Sequence, residues 1–236
     1  MRLTTQPARD RGPWCSFGWH VVRDASGIMS GMGNSALRRA ALWFSVRNRR
    51  RKAAAITSYM LKTEARSLLM CGAVGSGSEP NEAIVEHLIA AHAETVLAFD
   101  VVDVGPQPWP FIVADGRDMP FANDEYDIVV ANAVIEHVGD ETDQRRFVAE
   151  HSRVGKSWVI TTPNRWFPVE AHTSTILRHW STHWREQRTE FTRLLSKREF
   201  AALLPEGAVI HGRPWSATFS AYYPGAPSRL ALRSRR

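Results

Sequence analysis

Short apolar runs alternate with longer mixed stretches along the middle of this chain, and this alternation constrains the fold more than any other feature. The runs expected to form strands are 67–71, 95–99, 111–114, 126–131 and 158–162. They are predominantly apolar, unlike strands with one face in water, which alternate polar and apolar residues. Strands buried on both faces form parallel sheets with helices on each side. The sequence therefore predicts an α/β fold, a doubly wound αβα sandwich.

Helical character marks four stretches around these strands. They are 35–65, 79–92, about 141–153 and 196–204. Pro80 suits the first turn of the second helix, where a missing N–H is tolerated. Its expected apolar face consists of Ile84, Val85, Leu88 and Ile89. Ser196 followed by Glu199 gives the last helix a capping-box pattern.

Three further segments complete the predicted layout. The link 101–110 contains three prolines and is too short for a proper helix, so this crossover should be abbreviated. The segment 163–190, which follows the fifth strand, is rich in Trp, His, Arg and Thr, and we expect it to cover a substrate. Two closing strands are expected at 208–211 and 218–223.

The size of the chain suits one domain, because 236 residues that are 44% hydrophobic can bury a full core. We expect a loosely ordered segment over 1–33, the domain over 34–225 and a basic tail over 226–236. No apolar stretch approaches the ~20 residues of a membrane span, and we expect no secretory signal. The two cysteines form neither a disulfide framework nor a metal site, which favours a cytoplasmic protein.

Positive charge is concentrated in two places, within 38–52 and within 229–236, and the formal net charge is +6. Such clusters can hold phosphates or acidic lipid head groups. A solvated helix face and a frayed tail are the simpler interpretation, because no nucleic-acid-binding motif accompanies the charge. We therefore expect no nucleic-acid partner and at most weak peripheral membrane contact. The oligomeric state is not readable from the sequence.

Residues suited to a nucleoside-like ligand follow three of the predicted strands. The turn GAVGSG at 72–77 has glycines that let the backbone turn tightly and approach a ligand closely. Asp100 ends the second strand, where a carboxylate can accept hydrogen bonds from both hydroxyls of a ribose. Asp115 and Gly116 follow the third strand. This carboxylate can accept from an adenine amine, although Asp-Gly is also a common turn pair.

The residues that follow resemble the class I S-adenosylmethionine-dependent methyltransferases, in particular the group with the type 11 methyltransferase domain. That group typically shows D-x-x-x-L-P-F, then an F-D-x-V strand, then a run that ends in E-H. This chain has DGRDMPF at 115–121, YDIV at 126–129 and NAVIEH at 132–137. The order and spacing of the elements agree over about 65–165, and TPNRWFPVEAHT at 162–173 is also similar to members of the group.

The resemblance implies a Rossmann-like, mostly parallel seven-stranded sheet whose last strand is antiparallel, with S-adenosyl-L-methionine bound across the strand tips. It also implies a transferase that methylates a small-molecule, lipid or glycan-type acceptor. Asn132 would lie beside the methionine end of the cofactor. The cofactor-binding residues that the resemblance implies are Gly72, Ala73, Gly75, Gly77, Asp100, Asp115, Gly116 and Asn132.

This chain departs from the group's pattern at two points. The group usually has an acid two residues before its first glycine, where this chain has Met70, or Cys71 in the other register. Its loop is usually G-x-G-x-G, whereas here an extra residue stands between Gly72 and Gly75. The contact to the methionine amine would then come through water or from another residue.

The acceptor side is defined less sharply. A general base is needed only when the acceptor keeps its proton at neutral pH, and the two candidates are His137 and His172. His137 can equally be a packing residue at a helix start. His179 and His183 have a spacing seen in zinc sites, but no third ligand accompanies them, so we expect no metal. Candidate acceptor contacts are Asn164, Arg165, Trp166, Glu170 and His172.

Three other functions are consistent with parts of this pattern. A nicotinamide-dependent oxidoreductase shares the glycine turn and the distant acid, but its fingerprint is G-x-G-x-x-G. A non-catalytic methyltransferase-like scaffold would explain the missing acid before the first glycine. A nucleic-acid methyltransferase is disfavoured, because Asn132 is not followed by the N-P-P-Y-type continuation of amino-directed DNA enzymes.

Overall fold

The computed structural model describes residues 36–73, 83–167 and 192–225. The helices in these ranges are α1 (Ala36–Lys62), α2 (Ile84–Ala90), α3 (Glu141–Val154) and α4 (Lys197–Leu203), with a short 3₁₀ helix at Ile135–His137. The strands are β1 (Ser67–Cys71), β2 (Thr95–Asp100), β3 (Phe111–Val113), β4 (Tyr126–Asn132), β5 (Gly155–Pro163), β6 (Val209–His211) and β7 (Thr218–Tyr223).

The strands in the described ranges form one seven-stranded sheet in the order β3-β2-β1-β4-β5-β7-β6. Strands β1 to β5 run parallel to one another, and β7 runs antiparallel to both β5 and β6. Cys71 at the end of β1 is level with Phe99 of β2 and Ala131 of β4. The residues that follow these three strands therefore meet at one edge of the sheet. The predicted αβα sandwich, with its antiparallel last strand, is confirmed.

Hydrophobic side chains cover both faces of this sheet, as strands buried on both sides require. Because successive side chains point to opposite faces, Leu69 and Val129 pack on the side of α3 and α4, in a cluster centred on the fully buried Trp158. Met70 and Val130 pack on the other side, against α1 and α2. Each large side chain that is fully buried contributes on the order of 1.5–3 kcal/mol.

The third and fourth helices begin and end close to where the sequence predicts. Asp140 caps α3 by accepting from the Thr142 and Asp143 N–H groups. Ser196 caps α4 in a complete capping box, in which Ser196 Oγ accepts from the Glu199 N–H at 3.2 Å and Glu199 Oε2 accepts from the Ser196 N–H at 2.8 Å. The predicted capping box is confirmed.

The second helix differs from its prediction. It begins at Ile84 within the described residues, and Pro80 lies outside them. Its expected apolar face included Leu88, but this side chain is 43% exposed, whereas Glu86 is buried. The inward residues Val85, Glu86, Ile89 and Ala90 are spaced i, i+1, i+4 and i+5, so the helix is rotated away from the expected face. A carboxylate is thereby placed inside the fold.

The link 101–110 contains no helix, and the abbreviated crossover is confirmed. The segments 1–33 and 226–236, and most of 163–190, lie outside the described residues, so the expectations for them stay predictions. In the ranges that are described, no helix has the length and apolarity needed to cross a membrane.

Candidate active site

Gly72 makes the turn from β1 towards the site. It has φ +85°, a conformation that side chains with a Cβ rarely adopt, and an added Cβ would collide with Val134. Its N–H donates to the Phe99 carbonyl at 2.9 Å. Glycine is therefore required at this position by both conformation and space. Gly75 and Gly77 lie outside the described residues.

Asp100 ends β2 and is only 5% exposed. Its Oδ2 accepts from the Ala73 N–H at 3.1 Å, and its Oδ1 accepts from the Val102 N–H at 3.3 Å. Burial raises the pKa of this carboxyl, and the backbone N–H bonds work against that rise. Each carboxylate oxygen can accept more than one hydrogen bond, so Asp100 retains acceptor capacity next to the glycine turn.

Asp115, which follows β3, is engaged by its neighbour Arg117. Arg117 Nε donates to Asp115 Oδ1 at 3.0 Å, and Nη2 donates to Oδ2 at 2.7 Å. Arg117 also pairs with Asp143 of α3 at 3.0 Å. Burial works to raise the pKa of Asp115, but the hydrogen bonds and charge of Arg117 outweigh it and the pKa is lowered. An adenine amine would therefore share this carboxylate with a guanidinium.

Gly116 has a packing reason to be glycine. A Cβ there would lie 2.6 Å from Phe147 Cε2 and 3.3 Å from Cys71 Sγ. The turn after β3 therefore packs directly on α3. This contact accounts for the glycine without any ligand.

Asn132, at the end of β4, joins a polar cluster that the sequence did not reveal. Its Oδ1 accepts from Lys52 Nζ at 2.8 Å and from Thr161 Oγ1 at 3.0 Å. Its Nδ2 donates to Glu86 Oε1 at 2.8 Å. We call Lys52, Glu86, Asn132 and Thr161 the edge cluster. It brings α1, α2, β4 and β5 together at the carboxyl edge of the sheet.

The basic stretch 38–52 was expected to be a solvated helix face, and for Lys52 this was wrong. Burial lowers the pKa of Lys52 to about 8, although the negative charges of Glu86 and Glu136 act in the opposite direction. Burial also raises the pKa of Glu86, against the hydrogen bond from Asn132. Both ions are therefore held where water does not fully solvate them.

A cleft open to solvent lies beside this edge of the sheet. Its walls include Met70 and Ala98 from the strands, the Gly72–Ala73 turn, and Glu86. Trp109, from the abbreviated crossover, also lines the cleft and contacts the His87 ring at a centroid distance of 5.0 Å. The cleft therefore lies between the glycine turn, the crossover and α2, and Glu86 is the member of the edge cluster in its lining.

The predicted base His137 lies in the 3₁₀ helix after β4 and is partly buried. Its Nδ1 is 3.5 Å from Thr192 Oγ1, and neighbouring Ile135 packs in the hydrophobic cluster on the α3 side of the sheet. Asn132 and Glu86 contact each other on the opposite side. His137 therefore belongs to a different face from the edge cluster. His172 and Glu170 lie outside the described residues.

Some side chains after β5 already make hydrogen bonds or ion pairs with other parts of the protein. Asn164 Nδ2 donates to the Pro214 and Ser216 carbonyls at 2.7 and 2.9 Å, and Oδ1 accepts from the Trp166 N–H. Arg165 pairs with Glu199 at 3.2 Å. Trp166 is 58% exposed and has the Arg165 guanidinium over its ring. Of these three side chains, Trp166 offers the largest accessible surface to an acceptor.

Comparison with known proteins decides between the cofactors that such an edge could bind. Residues 74–158 match the model of a family described as methyltransferase domain. Over this stretch the chain is similar to that family. The match and the fold indicate an S-adenosylmethionine-dependent methyltransferase, and they imply S-adenosyl-L-methionine as the cofactor.

Solved structures similar to this chain accompany the match. The PH0226 protein from Pyrococcus horikoshii OT3 superposes with a TM-score of 0.50 at 13% identity, covering 82% of this chain and 93% of that one. The N-methyltransferase NodS from Bradyrhizobium japonicum WM9 gives a TM-score of 0.47 at 12% identity, covering 77% and 96%. At such identity the likeness of PH0226 supports the fold alone. No curated protein matches the methyltransferase by sequence.

Proposed function

We propose that this methyltransferase transfers the methyl group of S-adenosylmethionine to a small-molecule, lipid or glycan-type acceptor, with Asp100 as the main anchor of the cofactor's ribose. The observation that carries the anchor is the burial of Asp100 at the end of β2, within hydrogen-bond distance of the Ala73 N–H. Hydroxyls that donate to a carboxylate form charge-assisted bonds, each worth roughly 1.5–3 kcal/mol net.

The described residues fit such a cofactor in two respects. Asp100 keeps acceptor capacity beside the Gly72 turn. Glu86 Oε2 is a buried oxygen without a hydrogen-bond partner among the residues the structure describes. The cofactor supplies a methyl group on a positively charged sulfur, so nearby buried carboxylates have the favourable sign.

The remaining cofactor contacts are proposed by position. Gly72, Gly75 and Gly77, with Ala73, would line the methionine and ribose side. Asp115 and Gly116 would face the adenine, with Asp115 keeping its ion pair to Arg117. Asn132 would lie towards the methionine end, where its side chain already holds the edge cluster.

The protein's own contribution to the reaction would be to align the acceptor and exclude water. Positioning of this kind contributes on the order of 7–11 kcal/mol in favourable cases. Exposed Trp166 could hold an apolar or sugar-like acceptor face. Asn164, Arg165, Glu170 and His172 would surround the acceptor. His137 and His172 remain the proposed bases for an acceptor hydroxyl.

Calorimetric titration with S-adenosylhomocysteine tests the proposal, with NADH as the control ligand. We expect binding of S-adenosylhomocysteine and none of NADH. Asp100→Ala should lose most of this affinity. Asp103→Ala is the matched control, because Asp103 lies three residues further on and its side chain accepts from the Gly105 N–H of its own loop.

Two other results would redirect the assignment. Binding of NADH alone would favour the oxidoreductase. Binding of neither ligand would favour the non-catalytic scaffold. If S-adenosylhomocysteine binds Asp100→Ala as well as the unmodified protein, the ribose anchor is wrong. If S-adenosylhomocysteine binds the unmodified protein, the acceptor class is defined by a screen with methyl-labelled cofactor. The screen covers small molecules, lipids and glycans that carry hydroxyl or carboxylate groups.

A further inference from the structure

Glu86 is an unexplained carboxylate inside this methyltransferase. Its side chain projects from the inward face of α2, and the residue is 5% exposed. Oε1 accepts from Asn132 Nδ2 at 2.8 Å. Oε2 is buried and has no hydrogen-bond partner among the residues the structure describes. A buried polar atom left unpaired costs about 1–3 kcal/mol, more if it is charged, so a donor that arrives with a ligand would remove a real penalty.

The position of Glu86 shows where that donor would arrive. Glu86 lines the cleft together with Met70, Gly72 and Ala73. Met70 and Glu86 lie on the same side of the sheet, in contact with the layer of α1 and α2. The end of β1 brings no acid into the cleft, because Met70 is apolar. The carboxylate in this part of the cleft comes from the helix instead.

A positive charge lies on the other side of the same amide. Lys52 Nζ donates to Asn132 Oδ1 at 2.8 Å and approaches Thr161 Oγ1 at 3.5 Å. An ammonium has three donors, so at least one is left for a further acceptor. Asn132 therefore holds an ammonium at its oxygen and a carboxylate at its nitrogen. This arrangement is complementary to a zwitterion that presents a carboxylate to Lys52 and an ammonium to Glu86.

We propose that the edge cluster binds the amino-acid end of S-adenosylmethionine, with Glu86 Oε2 accepting from its α-ammonium group and Lys52 Nζ donating to its α-carboxylate. This inference rests on the proposed function and extends it, because it assigns two residues on helices α1 and α2 to the cofactor. Arg49 and Glu136 are the further charged residues that influence this pair.

The alternative is an internal ion network that only holds α1 and α2 on the sheet. A structural network would affect every ligand of the cleft equally, through stability. A site for the amino-acid end would affect only ligands that carry it. 5′-Methylthioadenosine shares the adenosine and sulfur of S-adenosylhomocysteine and lacks the amino-acid end, so the two ligands separate these explanations.

The experiment is calorimetric titration of the full chain with both ligands, for the unmodified protein, Glu86→Gln and Lys52→Met. In Glu86→Gln, the glutamine Oε1 is expected to keep accepting from Asn132 Nδ2. The glutamine Nε2 then lies where Oε2 was, and it meets the ligand's ammonium with another donor. We expect each variant to bind S-adenosylhomocysteine at least about 10-fold more weakly, which is about 1.4 kcal/mol. Affinity for 5′-methylthioadenosine should change less than about 2-fold in this account.

Glu94→Gln and Lys62→Met are the matched controls, since both residues are exposed and lie at the far ends of the segments that carry the cluster. They should leave both affinities unchanged. Thermal melting monitors the fold, and Lys52→Met carries the test if Glu86→Gln does not fold.

The possible outcomes separate this inference from the proposed function. Equal weakening for both ligands, or no weakening for S-adenosylhomocysteine, would make the cluster structural and overturn the inference while the proposed function stands. The same follows if the unmodified protein binds both ligands equally well. If the unmodified protein binds neither ligand, the inference and the proposed function fail together.

Discussion

Replacing Asp127 should destabilise the fold without affecting the cofactor site. Asp127 belongs to the YDIV strand through which the chain resembles its family, but it lies at the amino end of β4. Its Oδ2 accepts from the Arg66 and Ser67 N–H groups, both at 3.0 Å, and its Oδ1 accepts from Lys156 Nζ at 2.7 Å. The carboxylate therefore pairs the start of β1 with β4. At ~3.3 Å per residue it is roughly 16 Å from Asn132.

The size of the effect follows from these contacts. Two N–H bonds to a charged acceptor contribute roughly 1.5–3 kcal/mol each when buried, and the lower end applies here because the side chain is 26% exposed. The ion pair with the exposed Lys156 adds less than about 1 kcal/mol. Asp127→Ala should therefore lose about 3–4 kcal/mol. For a chain of this size that corresponds to a melting temperature lower by roughly 6–16 °C.

Lowering the pH should remove this difference. Burial works to raise the pKa of Asp127, but the bonds from Lys156 and the backbone outweigh it and the folded-state pKa lies below its ordinary value. The contribution is therefore present above the unfolded-state pKa of about 3.9 and is lost as the pH falls through the lower, folded-state value. The gap between the unmodified protein and Asp127→Ala should shrink accordingly.

Urea unfolding and thermal melting at pH 7 and at acid pH measure both effects. Lys156→Met is the control and should lose less than about 1 kcal/mol, since it removes only the exposed partner. A melting temperature for Asp127→Ala within 1 °C of the unmodified protein at pH 7 would refute the reasoning. A gap that does not shrink at acid pH, or a change in S-adenosylhomocysteine affinity, would refute it too.

Three further predictions concern other parts of the molecule. Asp100→Asn should weaken S-adenosylhomocysteine binding roughly 10- to 100-fold in calorimetry, because a neutral amide loses charge-assisted bonds to the ribose. Gly116→Ala should cost about 1–3 kcal/mol in urea unfolding, since its Cβ would lie 2.6 Å from Phe147 Cε2. Burial lowers the pKa of His151 to about 4. The neutral His151 ring therefore contributes to the stability of the fold above about pH 6.5. This contribution is lost as the pH falls towards 4, at up to about 1.4 kcal/mol per pH unit. His151→Gln should show a flatter dependence in this window.

Each of these three predictions has a result that would contradict it. Unchanged affinity in Asp100→Asn would remove the ribose anchor. Unchanged stability in Gly116→Ala would mean that the turn after β3 can move away from Phe147. If the stability of His151→Gln falls at acid pH as much as that of the unmodified protein, other groups cause the loss.

The strands were predictable because their signal is local. Each consists of a few consecutive apolar residues, and burial on both faces needs no knowledge of the partner strand. The meeting of Gly72, Asp100 and Asn132 at one edge was also predictable, because parallel strands carry their carboxyl ends to the same side of a sheet. The Ser196 capping box is local in the same sense.

The edge cluster was not predictable, because it depends on how helices are rotated against the sheet. Lys52 follows Arg49, Arg50 and Arg51 in the sequence, and nothing in that run distinguishes the one residue that turns inward. Glu86 stands between apolar residues of α2, where a carboxylate is rare. That position was a signal, but the expected apolar face, which included Leu88, masked it. Tertiary packing decided which side of each helix is buried.

Gly116 also shows that tertiary packing cannot be read from a local pattern. The resemblance places it beside the adenine, and the structure adds close packing on Phe147, 31 residues later in the chain. A glycine that permits close packing and a glycine that permits close ligand approach have the same local pattern. Only the position of α3 against the turn distinguishes them.

We propose that the carboxyl edge of β1, β2 and β4 binds S-adenosylmethionine with its ribose on Asp100. The most direct test is a crystal structure of the protein with S-adenosylhomocysteine. We expect both ribose hydroxyls within hydrogen-bond distance of the Asp100 carboxylate, beside the Gly72 turn. A ligand bound elsewhere, or a ribose out of reach of Asp100, would contradict it.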